Sequence, residues 1–333
     1  MNLQERIDLV CKLGKYISSQ DTNWLQAKEE AYVKNNWFIP NFIDLATTHI
    51  ASEMLEQSKI LSWLEHYQLK EPVTPRLVGL VMAGNIPLVG FHDFLCIFLS
   101  GHRQMIKTSS KDEVLIRHLT AKMIEWNPTV KEVIEFASML KGCDAYIATG
   151  SENSARYFEY YFGRYPHIIR KNRTSVAILT GREDAATLRA LADDIMQYFG
   201  LGCRNVTQIY APRDYDFVPL LEAIKAGYTF CFDHHKYRNN YDYQLAIYIM
   251  NNRLYMTNDC VVMLESELPF SPIGTLHYSF YDDENELYAR LQSDPRIQAI
   301  VGERGIKPGN AQKPACMDYA DGVDTMAFLA TLG

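Results

Sequence analysis

Leu77-Val78-Gly79-Leu80-Val81-Met82, followed by Ala83-Gly84-Asn85-Ile86-Pro87, is the stretch that sets the fold class. An unbroken apolar run of this kind suits a strand buried on both faces, as in parallel sheets. Gly84 and Asn85 then break the run with turn chemistry. Pro87 suits a first helical position, and the apolar spacing carries that helix to just before Gly101. Residues 103–107 read as the next strand. Strand, helix and strand at this spacing imply parallel strands joined by a right-handed crossover.

The same alternation continues downstream. Thr108, Ser109 and Ser110 supply cap chemistry for a helix reaching about Trp126. Residues 133–136 and 145–149 read as strands, and Gly150-Ser151 opens a helix over 152–162. A second block starts with a strand at 175–179, a helix at 184–199 and a strand from Val206 to Pro212. Helices near 217–226, 243–250 and 284–291 and strands at 261–264, 275–280 and 297–301 follow, before a loop-rich tail from Lys307. Upstream of about residue 70 the spacing is helical, with Asp21 as the N-cap of a segment through Lys34, until Pro72 and Pro75 end it. The fold class expected is α/β: two Rossmann-like domains with mainly parallel sheets, and a helical N-terminal region. The expected domains are 1–172, with its sheet starting near 76, and 173–333.

An apolar share of 47% and a charged share of 22% over 333 residues describe a globular chain able to bury a large core. The net charge of -7 and the lack of a long basic run argue against nucleic acid as a partner. No apolar run is long enough to span a membrane, and the polar start does not read as a signal peptide. The 7 cysteines are scattered and form no C-x-x-C pair, so neither a disulfide framework nor zinc is expected. A reduced, cytoplasmic protein follows, in which the sequons at Asn172 and Asn205 carry no meaning. His234-His235 with Asp233 lacks a further well-spaced ligand, so no metal is expected there. Tyr237, Tyr241 and Tyr243 read as packing rather than as an aromatic cage.

Chemistry concentrates at Gly200-Leu201-Gly202-Cys203-Arg204-Asn205, between a helix and a strand. Glycines let a substrate approach the backbone closely, and a thiol is nucleophilic near neutral pH. The bland alternative is a small buried apolar residue. No G-x-G-x-x-G follows the first strand. Lys107 with Thr108, Ser109 and Ser110 instead places a cation and hydroxyls at the carboxyl edge of a sheet, where ligands of α/β folds bind. Thr149-Gly150-Ser151 places a helix N-terminus at a second such edge. The plain reading is a capped helix with a solvated lysine at the first and a simple helix cap at the second.

In order, Gly84-Asn85-Ile86-Pro87, Lys107-Thr108-Ser109-Ser110, Thr149-Gly150-Ser151 and Gly200-Leu201-Gly202-Cys203 resemble the aldehyde dehydrogenase superfamily. Glu267-Leu268-Pro269-Phe270-Ser271-Pro272-Ile273 resembles its later Glu-x-Phe-Gly-Pro segment with one residue inserted. The resemblance spans about 76–300. Aldehyde-oxidising members place a glutamate upstream of the cysteine as base for the hydrolytic water. The matching position here is about Arg170, and no carboxylate occurs from Arg164 to Gly181. Without that base, water is a poor acceptor for an acyl-cysteine. The chain is therefore closer to the acyl-CoA reductase branch, the LuxC-type fatty acyl reductases. It is short for the superfamily and has little room for the usual oligomerising hairpin, which counts against a family-like tetramer; a homodimer is among the partners expected.

The resemblance implies NAD(P)H-dependent reduction of an acyl-CoA thioester to an aldehyde through an acyl-cysteine. Cys203 and Asn85 are then the catalytic residues, as nucleophile and oxyanion donor. Lys107, Ser109, Ser110, Thr149, Gly150, Ser151 and Glu267 are the cofactor-binding residues. Lys107 meets the adenosine ribose or its phosphate, and Glu267 the nicotinamide ribose. Ser110 stands where NAD-preferring relatives often carry glutamate, so NADPH is permitted beside NADH. Arg170, Lys171 and Arg173 read as a solvated basic turn, with coenzyme A phosphates as the functional alternative. Acyl-phosphate reduction and a non-catalytic nucleotide- or acyl-CoA-binding role are the competing readings of the whole chain.

Overall fold

The structure, a computed structural model, describes residues 1–69, 71 and 74–332. It forms two compact units, Met1–Asn172 with Pro314–Gly333, and Arg173–Lys313.

The first unit opens with helices α1 (Leu3–Ile17), α2 (Thr22–Lys34), α3 (Pro40–His49) and α4 (Gln57–Tyr67). Asn2 and Glu5 form a capping box on α1. Asp21 caps α2 by accepting from the amides of Asn23 and Trp24. The sheet contains β1 (Leu77–Val81), β2 (Arg103–Lys107), β3 (Ile134–Phe136), β4 (Ala145–Thr149) and β5 (His167–Arg170). Their order is β3-β2-β1-β4-β5 and every pairing is parallel. Val78 and Leu80 in the central strand are fully buried, as the apolar run requires. Helix α5 (Phe91–Leu99) is buried at every position but His92, because it packs against β1 and β2 and also against α1. Helices α6 (Val114–Trp126) and α7 (Glu152–Phe162) follow β2 and β4.

The second unit has α8 (Ala185–Met196), α9 (Val218–Tyr228), α10 (His235–Met250) and α11 (Glu284–Ser293) around one sheet. Its strands are β6 (Thr174–Ile178), β7 (Val206–Pro212), β8 (Tyr255–Thr257), β9 (Val262–Glu265), β10 (Thr275–Tyr281) and β11 (Ile297–Val301). The order is β11-β6-β7-β10-β9-β8, parallel except for β8, which pairs antiparallel with β9 at the edge.

Several expectations need correction. Helix α5 starts at Phe91 rather than at Pro87, because Leu88 sits at φ 55, outside helical space. Helix α6 starts at Val114 with Glu113 at its cap and no side-chain cap bond, so Thr108, Ser109 and Ser110 do not cap it. Helix α8 ends at Met196, short of Phe199. Helix α10 starts at His235, well before Tyr243, with the His234 ring accepting from the Tyr237 amide. Strands β5 and β8 had no counterpart in the sequence reading; each is only a few residues long and mixed in polarity.

The C-terminal tail, expected with residues 173–333, belongs to the first unit from Pro314 onward. Its short helix α12 (Thr325–Ala330) packs on α5. Trp63 Nε1 donates to Tyr319 Oη at 2.8 Å and Tyr67 Oη donates to Asp324 at 2.7 Å. These ties join residues more than 250 positions apart in sequence, so local pattern could not place the tail.

Candidate active site

The backbone that delivers Cys203 leaves helical space abruptly. Tyr198, Phe199 and Gly200 have φ of 53°, 57° and 74°. Glycine accepts this region freely, whereas a residue with Cβ loses roughly 1–2 kcal/mol there. Packing holds Tyr198 and Phe199 in place. Both are buried, and the Phe199 ring lies 4.4 Å from the His234 ring and 5.6 Å from that of Tyr237, centroid to centroid.

Asn205 then ties the loop to the end of α8. It is fully buried. Its Oδ1 accepts from the Gly202 amide at 2.8 Å. Its Nδ2 donates to the carbonyls of Asp194, Ile195 and Gln197 at 3.1, 3.2 and 2.9 Å. Carbonyls at a helix C-terminus lack helical partners, so one side chain closes the helix and fixes the turn. From the sheet, Ser175 Oγ donates to the Cys203 carbonyl at 3.0 Å. The Asp194 carboxylate accepts from Gly309 and Ala311 and anchors the same helix end on its other side. Burial raises the Asp194 pKa to about 6 against the pull of those two amides.

Cys203 is half-buried, just before the amino end of β7, and is not in a disulfide. Cys96, Cys143, Cys231, Cys260 and Cys316 are buried. Burial pushes the Cys143 thiol up to about 11 and Cys316 to about 12. Cys11, also half-buried, is raised by burial and by Asp8. Glu267 is exposed on the helix-free return from β9 to β10. That return is fastened to β7 and β10: Thr207 Oγ1 donates to the Pro269 carbonyl at 2.5 Å, Gln208 to Ser266 at 3.0 Å, and the His277 ring pairs with the Leu268 carbonyl at 2.8 Å. Glu267 lines an open hollow of about 460 Å³ with Arg253 and Glu265. A cavity of about 530 Å³ lies at the far edge of this sheet, at the carboxyl ends of β6 and β11, with Leu179, Glu183, Gly302 and Lys307 in its lining.

In the first unit the register aligns the other candidates. Val81, Lys107 and Ala148 are direct neighbours at the carboxyl ends of β1, β2 and β4. The turns bearing Asn85, Ser109, Ser110 and Gly150 therefore leave one sheet edge together. Between β1 and β4 the chain changes direction across the sheet, which is the crevice where ligands of α/β folds bind. Lys107 and Ser110 are exposed, and Asn85, Thr149 and Gly150 are half-buried. Lys107 forms no ion pair among the described residues. The Gly150 amide is spent on the Arg170 carbonyl, 3.3 Å away. A Cβ on Gly150 would come within 2.9 Å of Phe158 and Ser154, so close helix packing demands the glycine. Ser151 caps α7 by accepting from the Ser154 amide at 3.3 Å.

Behind the Asn85 turn stands Asp112, which sequence reasoning missed. It is buried; its Oδ2 accepts from the Leu88 amide at 2.7 Å, and its Oδ1 has no partner. Burial raises its pKa to about 7, opposed by the Leu88 bond. Arg170 is no solvated residue: it is buried at 2% exposure, reaching Asp93 Oδ2 at 2.5 Å and Thr325 Oγ1 at 2.7 Å. Burial opposes its charge, Asp93 outweighs burial, and the Arg170 pKa rises. Of the tyrosines, Tyr237 and Tyr241 are buried, with Tyr237 Oη donating to the Cys260 carbonyl at 2.8 Å, while Tyr243 is exposed. Asn205 and Asp112 gave no local signal, because an asparagine or aspartate in a turn reads alike whether solvated or buried.

The family described as Acyl-CoA reductase (LuxC) matches residues 44–218. No curated protein matches the chain. Among solved structures, an aldehyde dehydrogenase of Mycobacterium tuberculosis complexed with NAD+ is 14% identical over 87% of this chain and 70% of its own, with a TM-score of 0.59. Aldehyde dehydrogenase 21 of Physcomitrella patens, in complex with the reaction product succinate, is 10% identical over 91% and 74%, with a TM-score of 0.64. Aldehyde dehydrogenase KauB of Pseudomonas aeruginosa is 12% identical over 90% and 72%, with a TM-score of 0.62. At such identities the likeness is one of fold, and it is the aldehyde dehydrogenase fold.

Proposed function

The chain belongs to the acyl-CoA reductase (LuxC) family, and from that premise we propose that it reduces an acyl-CoA thioester to an aldehyde with NAD(P)H, through an acyl group held on Cys203. The observation that carries the reading is Arg170. At about the position where the resemblance puts the hydrolytic base of aldehyde-oxidising members, this chain has a buried guanidinium locked on Asp93.

The Cys203 thiolate attacks the thioester carbonyl carbon, forming a C–S bond as the π electrons move to oxygen. By the resemblance, the Asn85 side-chain amide and the Cys203 backbone N–H are assigned as donors to that oxyanion; one such donor is typically worth about 10²–10³ in rate. Collapse expels coenzyme A as a thiolate, so no strong general acid is needed. The acyl-cysteine is itself a thioester and stays electrophilic. With no carboxylate at the Arg170 position, water is not activated against it. What a bound reduced nicotinamide supplies is a hydride for the acyl carbon. Cys203 leaves as a thiolate when the aldehyde is released.

Lys107 and Ser110 suit the adenosine end of the cofactor, being exposed beside the β1–β4 crevice. Ser110 does not repel a 2′-phosphate and Lys107 can pair with it, which favours NADPH over NADH. Thr149, Gly150 and Ser151 border the same crevice, although the Gly150 amide and the Ser151 hydroxyl are engaged locally. Ser109 supports the Gly84 turn from the lysine loop, and Glu267 is assigned to the nicotinamide ribose. No helix among the described residues is long and apolar enough to cross a membrane. A cytoplasmic homodimer completes the reading.

Incubation with acyl-CoA and NADPH tests it. Free coenzyme A thiol should appear and reduced cofactor disappear in equal amounts, and Cys203→Ala should abolish both. Cofactor consumption with an acyl phosphate but not with acyl-CoA would overturn the thioester assignment.

A further inference from the structure

We infer that Asp112 is a positioning residue, whose buried carboxylate clasps the turn carrying Asn85 to the loop that follows Lys107. The inference rests on the reading of Asn85 as an oxyanion donor. The two segments follow β1 and β2 and interlock at both ends of the turn. At one end, a Cβ on Gly84 would lie 2.6 Å from Ser109 Cβ and Oγ and 3.2 Å from Asp112 Cβ, so only glycine permits this approach. At the other end, Asp112 Oδ2 accepts from the Leu88 amide at 2.7 Å. Asn85 lies between these grips.

The lysine loop is itself braced. The Asp112 amide donates to the Ser109 carbonyl at 3.1 Å, the Lys111 amide donates to Ser109 Oγ at 3.2 Å, and Asn35 Nδ2 donates to the Lys111 carbonyl at 3.2 Å. Leu88 is buried at φ 55, a conformation that a leucine holds only when its surroundings insist on it. The Leu88 amide bond to Asp112 supplies that insistence. A buried carboxylate with one hydrogen bond and an unpartnered oxygen is an expensive way to hold a turn. Its return is a fixed direction for the Asn85 side-chain amide, set by the loop that follows the cofactor lysine.

The test is a mutant cycle on the full chain, assayed with acyl-CoA and NADPH. Asp112→Ala should lower kcat roughly tenfold to a hundredfold, as expected when a donor is misplaced by about 1 Å. KM for acyl-CoA should stay within about threefold, because only transition-state binding is lost. Asp112→Asn keeps an oxygen for the Leu88 amide and should recover most of that kcat. In an Asn85→Ala background Asp112→Ala should cost nothing further, since both act through one group. Gly84→Ala forces the same two loops apart while leaving the Asp112 carboxylate in the chain. It should reproduce the kcat loss and the non-additivity, even where Asp112→Ala does not fold. If Asn85→Ala keeps full kcat, the oxyanion reading falls and takes the clasp with it. If Asn85→Ala loses kcat, the oxyanion reading stands. The clasp alone is then overturned by folded Asp112→Ala and Gly84→Ala proteins that keep kcat, or by losses that multiply with that of Asn85→Ala.

Discussion

Asn205→Ala is the most direct perturbation of the segment that presents Cys203. The side chain has one accepting contact and two amide hydrogens shared among three carbonyls. That amounts to three hydrogen bonds, at about 1 kcal/mol net each. The Gly202 amide is buried and loses its partner, which raises the expected cost to about 3–5 kcal/mol. The loss should be local to the end of α8 and the 200–205 loop. All the tryptophans (24, 37, 63 and 126) lie in the first unit, so their fluorescence reports on the wrong part of the chain. Amide hydrogen exchange read by mass spectrometry over 194–207 is the suitable assay, with the labelling rate of Cys203 by a mild electrophile alongside it. Protection should collapse and labelling should change severalfold. Asn205→Asp should be at least as damaging at pH 8, because it sets a negative charge against three carbonyls. It should recover partly on acidification, when the carboxyl regains a donor. Unaltered exchange and labelling in Asn205→Ala would refute the claim that this side chain holds the loop.

Asp93→Ala leaves the Arg170 guanidinium buried without its counter-charge and should destabilise the first unit by about 3–5 kcal/mol. Denaturant unfolding followed by tryptophan fluorescence would show this, and a change below about 1 kcal/mol would contradict the buried ion pair. Asp112 makes stability depend on pH. Its carboxyl titrates near 7 when folded against 3.8 unperturbed, so the folded state holds the proton more tightly. Stability from this group is therefore present at low pH and is lost as pH rises from about 4 to about 7, by about 4 kcal/mol in all. Asp112→Asn should lack that loss and gain on the parent across this window. Parallel pH profiles for the two proteins would contradict the burial of that carboxyl.

The apolar run at Leu77–Val81 and the alternation after it were enough to read an α/β chain with mainly parallel sheets, because period and burial are local properties of a strand or helix. The order of short motifs pointed to Cys203, Asn85 and Lys107 for the same reason: each lies where a strand meets a turn. Tertiary structure decided what the turns are made of. Leu88, Tyr198 and Phe199 adopt left-handed backbone that no propensity favours, held by packing and, at Leu88, by a bond to Asp112. Arg170 read as a solvated turn residue until the fold set Asp93 and Thr325 around it. The tail from Pro314 joined the first unit through bonds spanning more than 250 residues. At Leu88, Arg170 and the tail a buried polar group finds its partner, and at Tyr198 and Phe199 packed rings hold the backbone. These partners are near in space and far along the chain, where sequence pattern carries no record of them.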